Sequence, residues 1–226
     1  MGTDAIKMKV GYQAAEFVKE GMRVGLGTGS TAHFFIERLI QRCKEGLKIS
    51  AIATSKQSHK MAQEGGIPLL DAEQVTELDL TVDGADEIDS QKRMIKGGGG
   101  ALVREKIIAA MSKELIVIVD ASKLVHNLGK VKLPVEIVSF ATRATIHHID
   151  KAGFRGDFRK NADGTRFSTD NNNAIFDIHL PLPCENPEKI HQTLIAIPGV
   201  VDTGFFFHLA GRVIVGFADG QVVVKT

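Results

Sequence analysis

Between residue 4 and about residue 120 the chain alternates short apolar runs of strand length with segments of helical period, and this rhythm restricts its fold more than any other feature. "DAIKMKVGYQAAEFVKE" carries Ile6, Val10, Ala14 and Phe17 at helical spacing, whereas "MRVGLG" is a short apolar strand ending in glycines. A helix is expected from Ser30, whose hydroxyl suits an N-cap. "KISAIAT", "IPLL" and "LDLTVD" read as strands, "SKQSHKMAQEGG" as a helix ended by glycine, and "ELIVIVD" as a strand buried on both faces. Strands alternating with helices imply a parallel sheet wrapped on both sides.

Beyond Gly129 the rhythm changes. "PVEIVSF" reads as a strand, "TRATIHHIDKAG" as a helix, "FRGDFRK" and "AIFDIHL" as two strands, "NPEKIHQTLIAIPG" as a helix and "VVDTGFFFHLA" as a strand. That β-α-β-β-α-β order is the split βαβ motif of ferredoxin-like domains. "RVIVGFADGQVVVKT" reads as two strands around an Asp-Gly turn that return to the first domain. The expected architecture is therefore α/β: a Rossmann-like parallel-sheet domain over 1–129 and 209–226, and a smaller ferredoxin-like α+β domain over 130–208.

Composition narrows the function classes. The 226 residues include 28 Lys and Arg against 27 Asp and Glu with no dense basic run, so no nucleic-acid footprint is present. The charge on a small anionic substrate must be met locally. Cys43 and Cys184 lack metal-ligand or redox spacing, and "MGTDAIKMKV" lacks a secretory apolar core, so a cytoplasmic protein is expected. Ile6 stands where a myristoylation signal needs Ser or Thr. The longest apolar runs are strand-sized, which argues against a membrane span.

Four motifs could carry chemistry. In "GLGTGST", Gly25 to Thr31, Ser30 replaces the last glycine of a dinucleotide fingerprint and no Gly-Lys-Ser/Thr follows, so both a dinucleotide loop and a Walker loop are disfavoured. What remains is a strand-to-helix loop whose amides, with the hydroxyls of Thr28, Ser30 and Thr31, suit one small anion. A tight, well-capped turn is the simpler alternative. "DGADEID" follows the strand "LDLTV"; its acids suit a solvated turn, a magnesium site or acceptors for sugar hydroxyls. Asp83 and Asp86, flanking Gly84 and Ala85, are the stronger pair, with Glu87 and Asp89 expected to face water. No zinc-like histidine cluster is present, and His147 and His148 point in different directions on one expected helix.

"KGGGGALVREK" sets four glycines before an apolar helix that holds Glu105 between Arg104 and Lys106. Ala101, Leu102, Val103, Ile107, Ile108, Ala109 and Met111 surround that helix and mark it as buried on nearly every side. A buried carboxylate is usually paired, so an ordinary ion pair competes with a catalytic role. "DASK" adds Lys123 after another strand. Together these residues describe an anion cradle, hydroxyl acceptors, a carboxylate base and cations for an oxyanion, a set suited to proton transfer beside a carbonyl.

"GLGTGSTA", "VDGADEID", "KGGGGALVREK" and "DASK", in this order and with "LPVE" and "IPGVVDTG" beyond them, closely resemble ribose-5-phosphate isomerase type A over essentially the whole chain. The resemblance implies interconversion of D-ribose 5-phosphate and D-ribulose 5-phosphate through an enediolate, with no metal or organic cofactor. It implies Glu105 as the base, Lys96 as the stabiliser of the developing oxyanion, and Asp83 and Asp86 as hydroxyl ligands that assist ring opening. Thr28, Gly29, Ser30 and Thr31 would line the sugar-phosphate site with Gly84, Ala85, Gly97, Gly98, Gly99 and Lys123. No nucleic-acid or membrane partner is expected, and a homo-oligomer, dimer or tetramer, is.

Three rivals compete with that reading. An amino-sugar phosphate isomerase/deaminase would release ammonia, a CoA transferase would form a thioester on Glu105, and a sugar-phosphate-sensing module would bind without turnover. The last normally accompanies a helix-turn-helix, for which the chain has no spare length. "GFFFHLA" is read as an ordinary core strand rather than an interface strand.

Overall fold

The computed structural model describes residues 2–226, which divide into two compact units, one of residues 2–85, 104–124 and 209–226, the other of residues 86–103 and 125–208. In chain order the elements are α1 (Thr3–Ala15), β1 (Arg23–Leu26), α2 (Ser30–Lys44), β2 (Ser50–Ala53), α3 (Lys56–Glu64), β3 (Leu80–Gly84), β4 (Glu87–Ile88), β5 (Met94–Ile95) and α4 (Leu102–Ala110). They continue with β6 (Leu115–Asp120), β7 (Leu133–Ile137), α5 (Thr142–Lys151), β8 (Gly156–Phe158), β9 (Ala174–Ile178), α6 (Pro187–Ile195), β10 (Val200–Thr203), β11 (Phe205–Phe206), β12 (Ala210–Gly216) and β13 (Val222–Lys225).

The first unit is built on a six-stranded sheet in the order β13-β12-β6-β3-β1-β2, parallel except for the antiparallel edge strand β13. Every residue of β6 is buried, as an unbroken Leu-Ile-Val-Ile-Val run in a sheet covered on both faces requires. On one face α1 and α2 bury Val10, Ala14, Phe35, Ile36 and Leu39 against Val24, Leu26, Leu80, Val82, Ile116 and Ile118. Alternation turns Gly25 to the other face, where Ile108 of α4 lies so close that a Cβ on Gly25 would stand 2.7 Å from its Cγ2. Ile52, Leu78 and Ile108 form the core of that side.

The second unit carries a four-stranded antiparallel sheet in the order β10-β7-β9-β8, the pairing of a ferredoxin-like split βαβ unit. Its core gathers Leu133, Val135, Ile137, Ile149, Phe176, Ile178 and Leu194. A second small sheet, β11-β5-β4, joins residues 87–95 to Phe205 and Phe206, which holds 86–103 to this unit, whereas a boundary near Gly129 leaves that segment with the first.

Several local expectations change. "IPLL" forms only an isolated bridge from Leu69 to Ala51, because residues on either side make no ladder. Ser30 is the first helical residue rather than the cap: Gly29, at φ 105°, is the N-cap, and no side chain caps α2. "VVDTGFFFHLA" breaks at Gly204 into β10 and β11, which serve different sheets, and Phe205 and Phe206 are core residues. Helix α4 is not buried all round, since Ile107 is 54% exposed. No helix among the described residues is long and apolar enough to cross a membrane.

Candidate active site

In the first unit β2 lies on one side of β1 and β3 on the other, so the strand order reverses at β1 and opens a crevice at the carboxyl ends of β1 and β3. Residues 27–29 leave β1 there and enter α2. A Cβ on Gly27 would stand 2.6 Å from Asp83 Cα and collide with its carboxylate, so only glycine lets the two strand ends approach. Asp83 is 1% exposed, and its Oδ1 accepts the amide hydrogens of Thr28 at 3.0 Å and Gly84 at 2.8 Å. Ser58 Oγ donates to Gly27 O at 2.7 Å, and Thr54 Oγ1 donates to Leu26 O at 3.1 Å. Because that bond uses the one Thr54 hydroxyl hydrogen, the 2.7 Å contact between Thr28 and Thr54 is donated by Thr28.

This scaffold leaves Gly29 and Ser30 exposed at the start of α2, whose first turn carries no acidic residue and whose last turn carries Arg42 and Lys44. Amides and the positive end of the helix dipole there favour an anion. Gly29 adopts φ 105° and ψ 176°, a region essentially confined to glycine. At the end of β6, two strands away, Asp120 accepts from Ser122 N at 2.9 Å and shapes the turn that presents Lys123. The turn and the loop share one edge of the sheet.

Glu105 also belongs to this unit. It is 4% exposed and lies three residues, hence about one turn, before Ile108, on the same face of α4. Since Ile108 packs over Gly25 and α4 runs back toward the start of β6, Glu105 stands about 5 Å nearer the carboxyl ends of the strands. Ser112, which bonds Thr81 Oγ1 at 2.6 Å and Ile108 O at 2.8 Å, fixes the far end of the helix to β3.

The second unit holds Asp86, Lys96 and Gly97 to Gly99. Lys96 is 3% exposed; its backbone donates to Gly204 O at 2.8 Å and its Nζ stands 5.4 Å from the Phe206 ring centroid, a cation–π contact. Asp86 Oδ2 accepts from Gly98 N at 2.7 Å. The glycines have local reasons: Gly97 sits at φ 99°, with Leu102 Cβ 2.9 Å from where its own Cβ would lie, and a Cβ on Gly98 would stand 2.7 Å from Asp86 Oδ1. Glu87 and Asp89 do not face water. Both are buried, Glu87 accepting from Gly129 N and Val131 N at 2.7 Å each, and Asp89 pairing with Arg93 at 2.6 Å, because each satisfies backbone or guanidinium donors inside the unit.

Thr54, Ser58 and Arg159 escape a reading of the sequence, since none lies in a glycine or acidic motif. Thr54 at the end of β2 carries the one available signal, a hydroxyl at a strand terminus beside β1. No group of three or more His, Cys, Asp or Glu side chains suited to a metal ion occurs among the described residues.

The profile of the ribose 5-phosphate isomerase A (phosphoriboisomerase A) family matches residues 50–220. A ribose-5-phosphate isomerase A of Protochlamydia amoebophila is 50% identical over 218 residues, covering 96% of this chain and 94% of that protein. One from Streptococcus pneumoniae is 49% identical, covering 95% and 94%. The ribose 5-phosphate isomerase of Plasmodium falciparum superposes with a TM-score of 0.95 at 37% identity over 99% of each chain. A D-ribose-5-phosphate isomerase solved in complex with phospho-erythronic acid gives 0.93 at 36% identity, over 100% of this chain and 99% of that one. With three quarters of its length inside the profile and half its residues identical to a full-length relative, this chain belongs to the ribose 5-phosphate isomerase A family.

Proposed function

We propose that the protein interconverts D-ribose 5-phosphate and D-ribulose 5-phosphate in the non-oxidative pentose phosphate pathway, with Glu105 as the base. The observation that carries the assignment of the base is the burial of the Glu105 carboxylate on α4, one turn beyond Ile108 toward the carboxyl ends of the strands. A sugar α-proton is weakly acidic, and its removal near neutral pH needs an aligned base and a donor aimed at the oxygen where charge develops.

In the open-chain aldose, Glu105 takes the proton from C2. The C–H electron pair forms the C1–C2 double bond and the C1 carbonyl pair moves onto O1, giving an enediolate. The ammonium of Lys96 offsets the charge on O1. Return of the proton from Glu105 to C1, with loss of the O2 hydroxyl proton and protonation of O1, yields the ketose. Thr28, Gly29, Ser30 and Thr31 with Lys123 hold the phosphate end, an assignment supported by the bare N-terminus of α2. Asp86, Gly84, Ala85 and Gly97 to Gly99 contact sugar hydroxyls. Asp83 acts there as well, although its Oδ1 already serves two amides.

The test is ketose formation from D-ribose 5-phosphate by chelator-treated protein, wild type against Glu105→Gln. Turnover that collapses in a folded Glu105→Gln protein supports the proposal; no turnover in the wild type, with or without added divalent metal, overturns it. We place the enzyme in the cytoplasm and read it as a homo-oligomer, the latter supported by Phe140, 83% exposed with the exposed Val138 two residues away on the second unit. Sedimentation of Phe140→Asp as a smaller species than wild type is the expected result.

A further inference from the structure

We infer that Arg159, held by Asp177, is a positioning residue that sets the amide directions of the glycine loop; the inference rests on the proposed role of that loop in binding the sugar. Arg159 follows β8 and Asp177 lies in β9, and both side chains are largely buried. Asp177 receives Arg159 in a two-pronged pair, Nε to Oδ2 at 2.9 Å and Nη2 to Oδ1 at 2.5 Å. The remaining nitrogen, Nη1, donates to Gly97 O at 2.7 Å and Gly98 O at 3.0 Å. One planar guanidinium thus links a rigid strand to two successive peptide units of the loop.

In a planar trans peptide the C=O and the following N–H point in opposite directions. Holding Gly97 O therefore aims Gly98 N–H away from Arg159, and that amide donates to Asp86 Oδ2 at 2.7 Å. Holding Gly98 O aims Gly99 N–H away in the same manner, at a residue that is exposed. A cation on each carbonyl oxygen also polarises the peptide and strengthens its N–H as a donor. Phe167 completes the clamp: its ring lies 5.8 Å from the Arg159 guanidinium and occupies the space that a side chain on Gly100 would need. Nothing in "FRGDFRKN" advertises this role, because the contacts span 61 and 62 residues of sequence.

The experiment compares wild type, Arg159→Met, Arg159→Ala and Asp177→Asn for kcat, KM, melting temperature and inhibition by inorganic phosphate, the last a probe of the α2 loop. The expected result for Arg159→Met is a kcat lower by about 100-fold, the cost of misplacing groups by about 1 Å, with the phosphate inhibition constant unchanged. Guanidinium ion at sub-denaturing concentration should restore part of kcat in Arg159→Ala and none in Glu105→Gln, a recovery that a merely structural role would not produce. A folded Arg159→Met with kcat within about twofold of wild type overturns the inference. If the Arg159 variants fail to fold, Asp177→Asn decides, since it keeps the guanidinium but loosens its anchor: lowered kcat with unchanged phosphate inhibition supports the inference, and unchanged kcat overturns it. Absence of turnover in the wild type would instead remove the functional reading on which the inference stands.

Discussion

Ser58 and Asp83 grip opposite ends of one peptide unit: Ser58 Oγ donates to Gly27 O at 2.7 Å while Asp83 Oδ1 accepts from Thr28 N at 3.0 Å. The second unit repeats the device with Arg159 on Gly97 O and Asp86 on Gly98 N. In both, a glycine-rich loop that would cost entropy to order is given a fixed plane by one donor and one acceptor.

Removing either grip on the first loop should loosen it measurably. Asp83→Ala leaves two amides without their acceptor and is expected to cost about 1–3 kcal/mol by urea unfolding and to weaken phosphate inhibition. Ser58→Ala removes the neutral bond to Gly27 and the one that its hydroxyl accepts from Ser55 Oγ at 3.2 Å, and should cost about 1–2 kcal/mol. Equal stability of Asp83→Ala and wild type would contradict the clamp.

Gly29 isolates backbone strain from steric clash. Nothing lies within 4 Å of where its Cβ would stand, yet its φ of 105° is foreign to other residues. Gly29→Ala should therefore cost about 1–3 kcal/mol or shift the loop, and raise KM for the sugar phosphate. A variant as stable and active as wild type would show that the loop relaxes without penalty.

Asp79 links stability to acid. Its carboxyl is held below the ordinary value first by the amide of Arg23 and then by Lys113, at 2.9 Å each. A depressed native pKa gives stability that is fully present above the unfolded value of about 3.9 and is lost as pH falls through the native one. Unfolding free energy measured from pH 7 to pH 2 should fall less steeply in Asp79→Asn. The Lys113 pair contributes little to this, because the lysine is exposed and solvent screens the pair.

Glu136 is a fully buried carboxylate on β7 whose Oε1 accepts from Thr169 Oγ1 at 3.1 Å, Asn171 Nδ2 at 3.1 Å and Asn173 Nδ2 at 2.8 Å. It ties the turn before β9 to the sheet. Glu136→Ala removes the acceptor shared by three donors and should destabilise by about 2–3 kcal/mol, with Glu136→Gln retaining most of that stability. Equal loss of stability in the two variants by chemical denaturation would show that the charge, not the accepting oxygen, matters.

The sequence by itself determined the two architectures and where the glycine and acid motifs fall within them. Periodicity of 2 and 3.6 is local, so β1, β3, β6 and the helices between them are legible from apolar spacing, as is the β-α-β-β-α-β order. Local motifs singled out Gly25 to Thr31, Asp83 and Asp86 near strand ends and Glu105 on the helix after the glycine run for the same reason: each lies within a few residues of its turn. Tertiary structure decided what the sequence could not express. That Glu87 and Asp89 face inward depends on amides at Gly129 and Val131 and on Arg93 in a turned-back segment. That Ile107 is exposed while Ile108 is buried depends on which side of α4 meets the sheet. Arg159 acquires its place only when β8 pairs with β9 and carries the guanidinium to a loop 61 residues away. Spacing along the chain records what neighbours do; a hydrogen bond between distant segments exists only after the packing of both has paid the entropy of bringing them together.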